Sequence, residues 1–194
     1  MVRVAVLISG SGSNLLAFLE GCANGTIPAE VVAVGADNDA SGLDHARRRG
    51  IPTFVEPLDR GADREAWGLR LADAVGASEP DLVILSGFMR ILPPGFVHRF
   101  APMLFNTHPA YLPEFPGAHA VRDAIEAGVT ETGASVIVVD DGIDTGPILA
   151  QRRVPVVEGD TEDTLHDRIK VVERELLADV VRDIANRESA IEEN

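Results

Sequence analysis

Two residues of this 194-residue chain have types and spacing suited to chemistry: Asn106 and His108. They lie in Phe105-Asn106-Thr107-His108-Pro109-Ala110-Tyr111-Leu112-Pro113, behind the short apolar run Pro102-Met103-Leu104-Phe105, which reads as a strand opening on a proline. In extended backbone alternate side chains share a face, so Asn106 and His108 project together while Thr107 points away. Pro109 disfavours a helical conformation at His108 and keeps it extended. An imidazole can transfer a proton near neutral pH, and an amide can donate to a developing oxyanion. The pair therefore suits acyl transfer through a tetrahedral intermediate. The alternative is a strand end whose polar groups bond the following loop.

A carboxylate brought to His108 would favour the imidazolium and fix the ring. Asp140-Asp141-Gly142-Ile143-Asp144-Thr145-Gly146-Pro147 is acidic and glycine-rich, and Asp144, held before the Thr-Gly-Pro turn, is its best candidate. The spacing does not match a calcium-binding loop. A second chemical feature is Ser9-Gly10-Ser11-Gly12-Ser13-Asn14, between the apolar Val2–Ile8 and a helix carrying Leu15, Leu16, Phe18, Leu19 and Cys22. Glycines there let the backbone approach a ligand, and the helix start offers free N–H groups to an anion. A dinucleotide fingerprint needs a third glycine where Leu15 stands, and the lysine of a nucleotide P-loop is missing. The loop reads as a site for one phosphate on Gly12, Ser13 and Asn14, with a tight structural turn as the alternative.

The elements that must position these groups alternate strand and helix. Val2–Ile8 and Asp81–Ser86 are apolar enough to be buried on both faces, as central parallel strands are. Val31–Val34 and Thr53–Val55 are further strands. After the former, Asp37-Asn38-Asp39 could hold a ribose, although helix capping or a solvated turn is favoured without the third glycine. Leu43–Arg49, Ala62–Val75, Gly95–Phe100 and Ala118–Ala127 read as helices. Arg64 is a cation where a helix start prefers an anion, either solvated or facing a carboxylate ligand. Gly87-Phe88-Met89-Arg90-Ile91-Leu92-Pro93-Pro94 is an apolar loop that caps the core or walls an apolar cleft. His98 is expected at the surface, and His119 as a structural or substrate-facing contact. Gly133–Val139 and Ile148–Val157 are joined by a turn and so should pair antiparallel. Thr161 caps a last helix whose buried stripe is Leu165, Ile169, Val172, Leu176, Val180 and Ile184, with Glu173 at its edge. The expected fold is α/β: an open, mostly parallel twisted sheet with helices on both faces and one antiparallel strand near the C-terminus.

Apolar residues make up 45% and charged residues 25%, ordinary for a globular protein, and the length suits one domain. A net charge of −14 argues against a broad nucleic-acid surface, while a small phosphorylated ligand remains compatible with it. No apolar run is long enough for a bilayer, and the first strand follows the start too closely for a signal peptide. The single cysteine, Cys22, permits no internal disulfide and reads as core packing, and the five histidines are not paired at ligand spacing. A cytoplasmic protein without a metal is expected.

Four stretches, in order, carry a resemblance: Ser9-Gly10-Ser11-Gly12-Ser13-Asn14-Leu15, Gly87-Phe88-Met89-Arg90-Ile91-Leu92, Asn106-Thr107-His108-Pro109 with Leu112-Pro113, and Asp144-Thr145-Gly146-Pro147. Over nearly its whole length the chain resembles the glycinamide ribonucleotide formyltransferases, folate-dependent enzymes of purine biosynthesis. The resemblance implies one formyltransferase domain over 1–194, with a Rossmann-like phosphate-binding half (1–100), a catalytic and folate-binding half (101–187) and a flexible tail (188–194). It implies that Asn106, His108 and Asp144 are catalytic, that Gly12, Ser13 and Asn14 hold the phosphate of glycinamide ribonucleotide, and that Glu173 contacts its ribose. It implies that 10-formyltetrahydrofolate meets Arg64, the backbone of Met89, Arg90, Ile91 and Leu92, Asn106, and the Asp140, Asp141 and Asp144 loop. A homodimer is one option for the assembly. Ile137 departs from a histidine frequent in the family, and Ala110 from a serine. Two relatives share the catalytic set: formyltetrahydrofolate deformylases would add an N-terminal regulatory domain, and methionyl-tRNA formyltransferases a basic C-terminal one. From another class, a nucleotide-binding module without catalysis would be recognised by NAD rather than folate binding.

Overall fold

Apolar strands and one-sided helices bury both kinds of surface only by stacking helices on a sheet. The computed structural model describes residues 1–192, with side chains described through 187. Its strands are β1 (Val2–Ile8), β2 (Ala29–Ala36), β3 (Thr53–Val55), β4 (Leu82–Leu85), β5 (Leu104–His108), β6 (Glu131–Val138) and β7 (Ile148–Pro155). Between and after them run α1 (Ser13–Ala23), α2 (Leu43–Arg47), α3 (Arg64–Gly76), α4 (Pro94–Phe100), α5 (Ala120–Glu126) and α6 (Glu162–Glu192).

The seven strands form one sheet in the order β3-β2-β1-β4-β5-β6-β7. Strands β1 to β5 pair parallel, and β6 is antiparallel to both β5 and β7. The reversed strand expected near the C-terminus is therefore β6, and β7 returns to the common direction. Winding reverses between β1 and β4, which leaves a crevice at their C-terminal ends.

Side-chain alternation splits the core into two layers. Val4, Val6, Ile8, Leu82, Ile84 and Phe105 pack with α1, α2, α5 and α6, while Ala5, Leu7, Val83, Leu85 and Leu104 pack with α3 and α4 around the buried Trp67. On β5, then, Phe105 and Thr107 belong to one face, and Leu104, Asn106 and His108 to the other.

Capping sets the helix starts. The Asp63 carboxylate accepts from the Glu65 and Ala66 N–H groups, so α3 begins at Arg64 rather than Ala62. The Thr161 hydroxyl accepts from the Thr164 N–H at 3.2 Å, capping α6 as expected. Helix α6 continues to Glu192, into the stretch read as a tail; the side chains from 188 and residues 193–194 lie outside the described residues.

Candidate active site

A cleft of about 540 Å³ opens at the C-terminal ends of β1, β4 and β5, lined by residues 10–14, 85–92, 106–109 and 117–121, the 140–144 loop except Asp141, and one side of α6. A hollow of about 530 Å³ lies between Glu114 and Arg153, but the arginine there is already held by both oxygens of Glu114, at 2.7 and 2.8 Å. The chemistry lies in the first.

Asn106, His108 and Asp144 meet in it. His108 is 4% exposed, with Nδ1 3.4 Å from Asp144 Oδ2 and Nε2 2.8 Å from the Phe115 carbonyl oxygen. A carbonyl only accepts, so Nε2 carries a proton. Asn106 Nδ2 donates to Asp144 Oδ1 at 3.3 Å, and the Gly117 N–H donates to Asp144 Oδ2 at 2.8 Å. The ring is thus oriented by Phe115, a backbone contact that side-chain reading does not reveal. Asp144 supplies charge over the opposite edge. Both contacts come from strained backbone: φ is 51° at Phe115 and 53° at Asp144, the left-handed region that non-glycine residues seldom occupy. Ile137 stands opposite Asn106 in the β5–β6 ladder and also lines the cleft, so an apolar wall replaces any second imidazole there.

The start of α1 lines the same cleft. Its N-cap, Gly12, has φ 67° and supplies no side-chain cap, which leaves the first N–H groups directed at the cleft. The side chain of Asn14 is engaged elsewhere: Nδ2 donates to Glu173 Oε2 at 3.0 Å, and Oδ1 accepts from Arg174 Nε at 2.8 Å. Glu173 was expected at the edge of the α6 stripe. It is instead 3% exposed, because α1 closes over it, and burial pushes its carboxyl pKa up against the opposing Asn14 hydrogen bond. Glu162, His166 and Lys170 line the cleft beside it. Sequence reading missed these three, although their spacing of four residues marks a second stripe on the same helix. Lys170 pairs with Asp167 at 3.0 Å, and burial, then Lys170, lowers the pKa of His166.

The remaining expected contacts divide. Met89, Arg90, Ile91 and Leu92 line the cleft, as do Asp140 and His119. Asp140 also ties its own loop, accepting from the Gly142 N–H and the Thr145 hydroxyl. Arg64 does not line it; its guanidinium donates to the Ile91 carbonyl at 2.5 Å, because the start of α3 lies behind that loop. Asp141 is turned outward and meets the exposed His98 at 2.9 Å. Asp37, read as a cap or a solvated turn, is neither: it is buried against Arg90.

A model of the formyl transferase family matches residues 2–181. The phosphoribosylglycinamide formyltransferase of Mycobacterium tuberculosis (strain H37Rv) is 51% identical over 183 residues, covering 94% of this chain and 85% of the relative. That of Escherichia coli (strain K12) is 40% identical over 194 residues, covering 100% and 92%. The crystal structure of glycinamide ribonucleotide transformylase 1 from Symbiobacterium toebii superposes with a TM-score of 0.92 at 42% identity, covering 96% of this chain and 88% of that one. With the family model spanning nearly all of it and relatives this similar along their length, the chain belongs to the formyl transferase family.

Proposed function

We propose that this chain transfers the formyl group of 10-formyltetrahydrofolate to the primary amine of glycinamide ribonucleotide, giving formylglycinamide ribonucleotide and tetrahydrofolate in purine biosynthesis. The observation that carries the reading is the meeting of Asn106, His108 and Asp144 in one cleft. An uncapped helix start and an apolar loop line the same cleft.

The phosphate rests on the N–H groups at Gly12, Ser13 and Asn14, with Lys170 as the nearby cation on α6, and Glu173 accepts from the ribose. The folate lies along Met89–Leu92 and the 140–144 loop. The amine lone pair attacks the formyl carbon, and the carbonyl electrons move to oxygen. Asn106 Nδ2–H and the Nδ1–H of protonated His108 stabilise that oxyanion, as preorganised donors do most effectively in a water-poor site. Asp144 accepts the amine proton, directly or through one water. The oxyanion electrons then re-form the carbonyl as the bond from the formyl carbon to N10 breaks. That bond's electron pair goes to N10, which takes up the proton held by Asp144, directly or through the same water. Arg64 acts on the folate site through the Ile91 carbonyl, and Asp141 stays outside the reaction.

Among the described residues no helix is long and apolar enough to cross a membrane. A cytoplasmic setting belongs to the proposal, as does a homodimer, which sedimentation would check. The decisive assay offers 10-formyltetrahydrofolate with glycinamide ribonucleotide, charged initiator tRNA or water alone. Transfer to the ribonucleotide only is expected; formate release without an acceptor, or formylation of the tRNA, would overturn the assignment.

A further inference from the structure

Asp37 follows directly on β2, at the C-terminal strand end where a nucleotide-binding fold places its ribose-holding carboxylate. Here that carboxylate is turned to a different task. Its side chain is 2% exposed, with Oδ2 accepting from Arg90 Nε at 2.5 Å and Oδ1 from Asn38 Nδ2 at 3.0 Å. Asn38 Nδ2 also donates to the Ser9 carbonyl at 3.0 Å. Ser9 in turn holds the 87–92 loop twice: its N–H donates to the Gly87 carbonyl at 3.2 Å, and its hydroxyl accepts from the Met89 N–H at 2.8 Å. The loop itself lies between β4 and α4 and has no ladder of its own. Where its backbone stands is decided by these tethers and by Arg64 on the Ile91 carbonyl.

We propose that Asp37 is a positioning residue for the folate: through Arg90 it holds the Met89–Leu92 backbone where that backbone reads the flat heterocycle. The inference rests on the transferase reading above. A backbone recognises a planar ligand edge only if its groups are preorganised, because misplacement by about 1 Å already weakens a positioned contact severely. Arg90 belongs to the 87–92 loop that the transferase reading assigns to the folate, and the α1–α6 contacts at the phosphate loop do not include the ion pair. Its loss should therefore be felt by one co-substrate and not the other.

The test compares wild type, Asp37→Asn, Arg90→Met and the double variant, measuring the KM for each co-substrate, kcat, and the Kd for tetrahydrofolate by calorimetry without an acceptor. Asp37→Asn should raise the folate KM and the tetrahydrofolate Kd on the order of tenfold, leaving kcat and the glycinamide ribonucleotide KM within about twofold. In the Arg90→Met background the same change should add almost nothing, since the two side chains act as one unit. Equal rises in both KM values, or full additivity in the double variant, would overturn the proposal. If Asp37→Asn does not fold, Arg90→Met, altered at the more exposed end of the pair, carries the same KM comparison. Wild type that binds tetrahydrofolate but transfers nothing to glycinamide ribonucleotide would overturn the acceptor assignment and leave the Asp37 test standing.

Discussion

The Phe115 carbonyl oxygen accepts from His108 Nε2 at 2.8 Å, so a backbone group seven residues downstream orients the imidazole. Asp144 lies at the other edge of the ring, 3.4 Å from Nδ1. Phe115 and Asp144 are two of the three non-glycine residues with positive φ among the described residues. Each such conformation costs about 1–3 kcal/mol and persists only where its surroundings impose it. Strain is thus stored on both sides of one side chain, which lines the same cleft as Asn106.

Asp144→Asn keeps the size of the side chain and removes its charge and its proton-accepting oxygen. The expected result is a fall in kcat of about 10²–10⁴-fold, the usual contribution of a positioned acid or base, with KM values little changed. Steady-state kinetics would check this; kcat within threefold of wild type would remove Asp144 from the proton relay.

Asn106→Ala deletes an oxyanion donor without touching the phosphate end. Loss of one such donor costs about 2.7–4 kcal/mol of transition-state stabilisation, or about 10²–10³ in kcat. The melting temperature should stay close to wild type, since Asn106 is only half-buried and its side chain bonds Asp144 at a long 3.3 Å.

Glu173→Gln should stabilise the fold while impairing the substrate site. Burial raises the folded-state pKa of Glu173 above its ordinary value of 4.5. A raised carboxyl contributes stability below the unfolded pKa, and that contribution is lost as pH rises through the folded pKa. The variant should therefore melt together with wild type near pH 4 and above it by pH 7 to 8, a difference that melting curves across pH would reveal. Its KM for glycinamide ribonucleotide should rise. A gain in melting temperature that is greatest in acid would contradict the assignment of the shift to burial.

Gly12→Ala tests the helix start. The position has φ +67°, and an added Cβ would stand 3.0 Å from the Gly42 Cα, where two loop backbones touch. The left-handed conformation alone costs about 1–2 kcal/mol in an alanine, and each kcal/mol lowers the melting temperature by roughly 2–4 °C in a chain of this size. Calorimetry should record that fall, with a raised KM for the ribonucleotide and an unchanged Kd for tetrahydrofolate.

Much of the site was legible from local rules. Asn106 and His108 had to share a face because a strand alternates, and Pro109 had to keep His108 extended. Gly12 with no capping side chain behind it already implied free N–H groups. Other partners were hidden for identifiable reasons. The Phe115 carbonyl is a backbone atom, and every residue has one. Glu162, His166 and Lys170 share α6 with a strong apolar stripe that dominated the periodicity, and only the packing of α6 on α1 turns their side toward the cleft. Arg64 and Asp141 were expected by resemblance to meet the folate; neither lines the cleft, Arg64 bonding the Ile91 carbonyl and Asp141 meeting His98.

The chain alone therefore determined its alternating elements, the buried faces of its strands and the chemical types gathered at its loops, because these follow from side-chain period and backbone sterics. Which charges meet was decided in three dimensions. Arg90 binds Asp37, Asn14 spans Glu173 and Arg174, and Asp144 reaches His108 across separations in sequence that no local rule encodes. The physical reason is that a charge's environment depends on whatever surface the fold lays over it, and that surface comes from elsewhere in the chain.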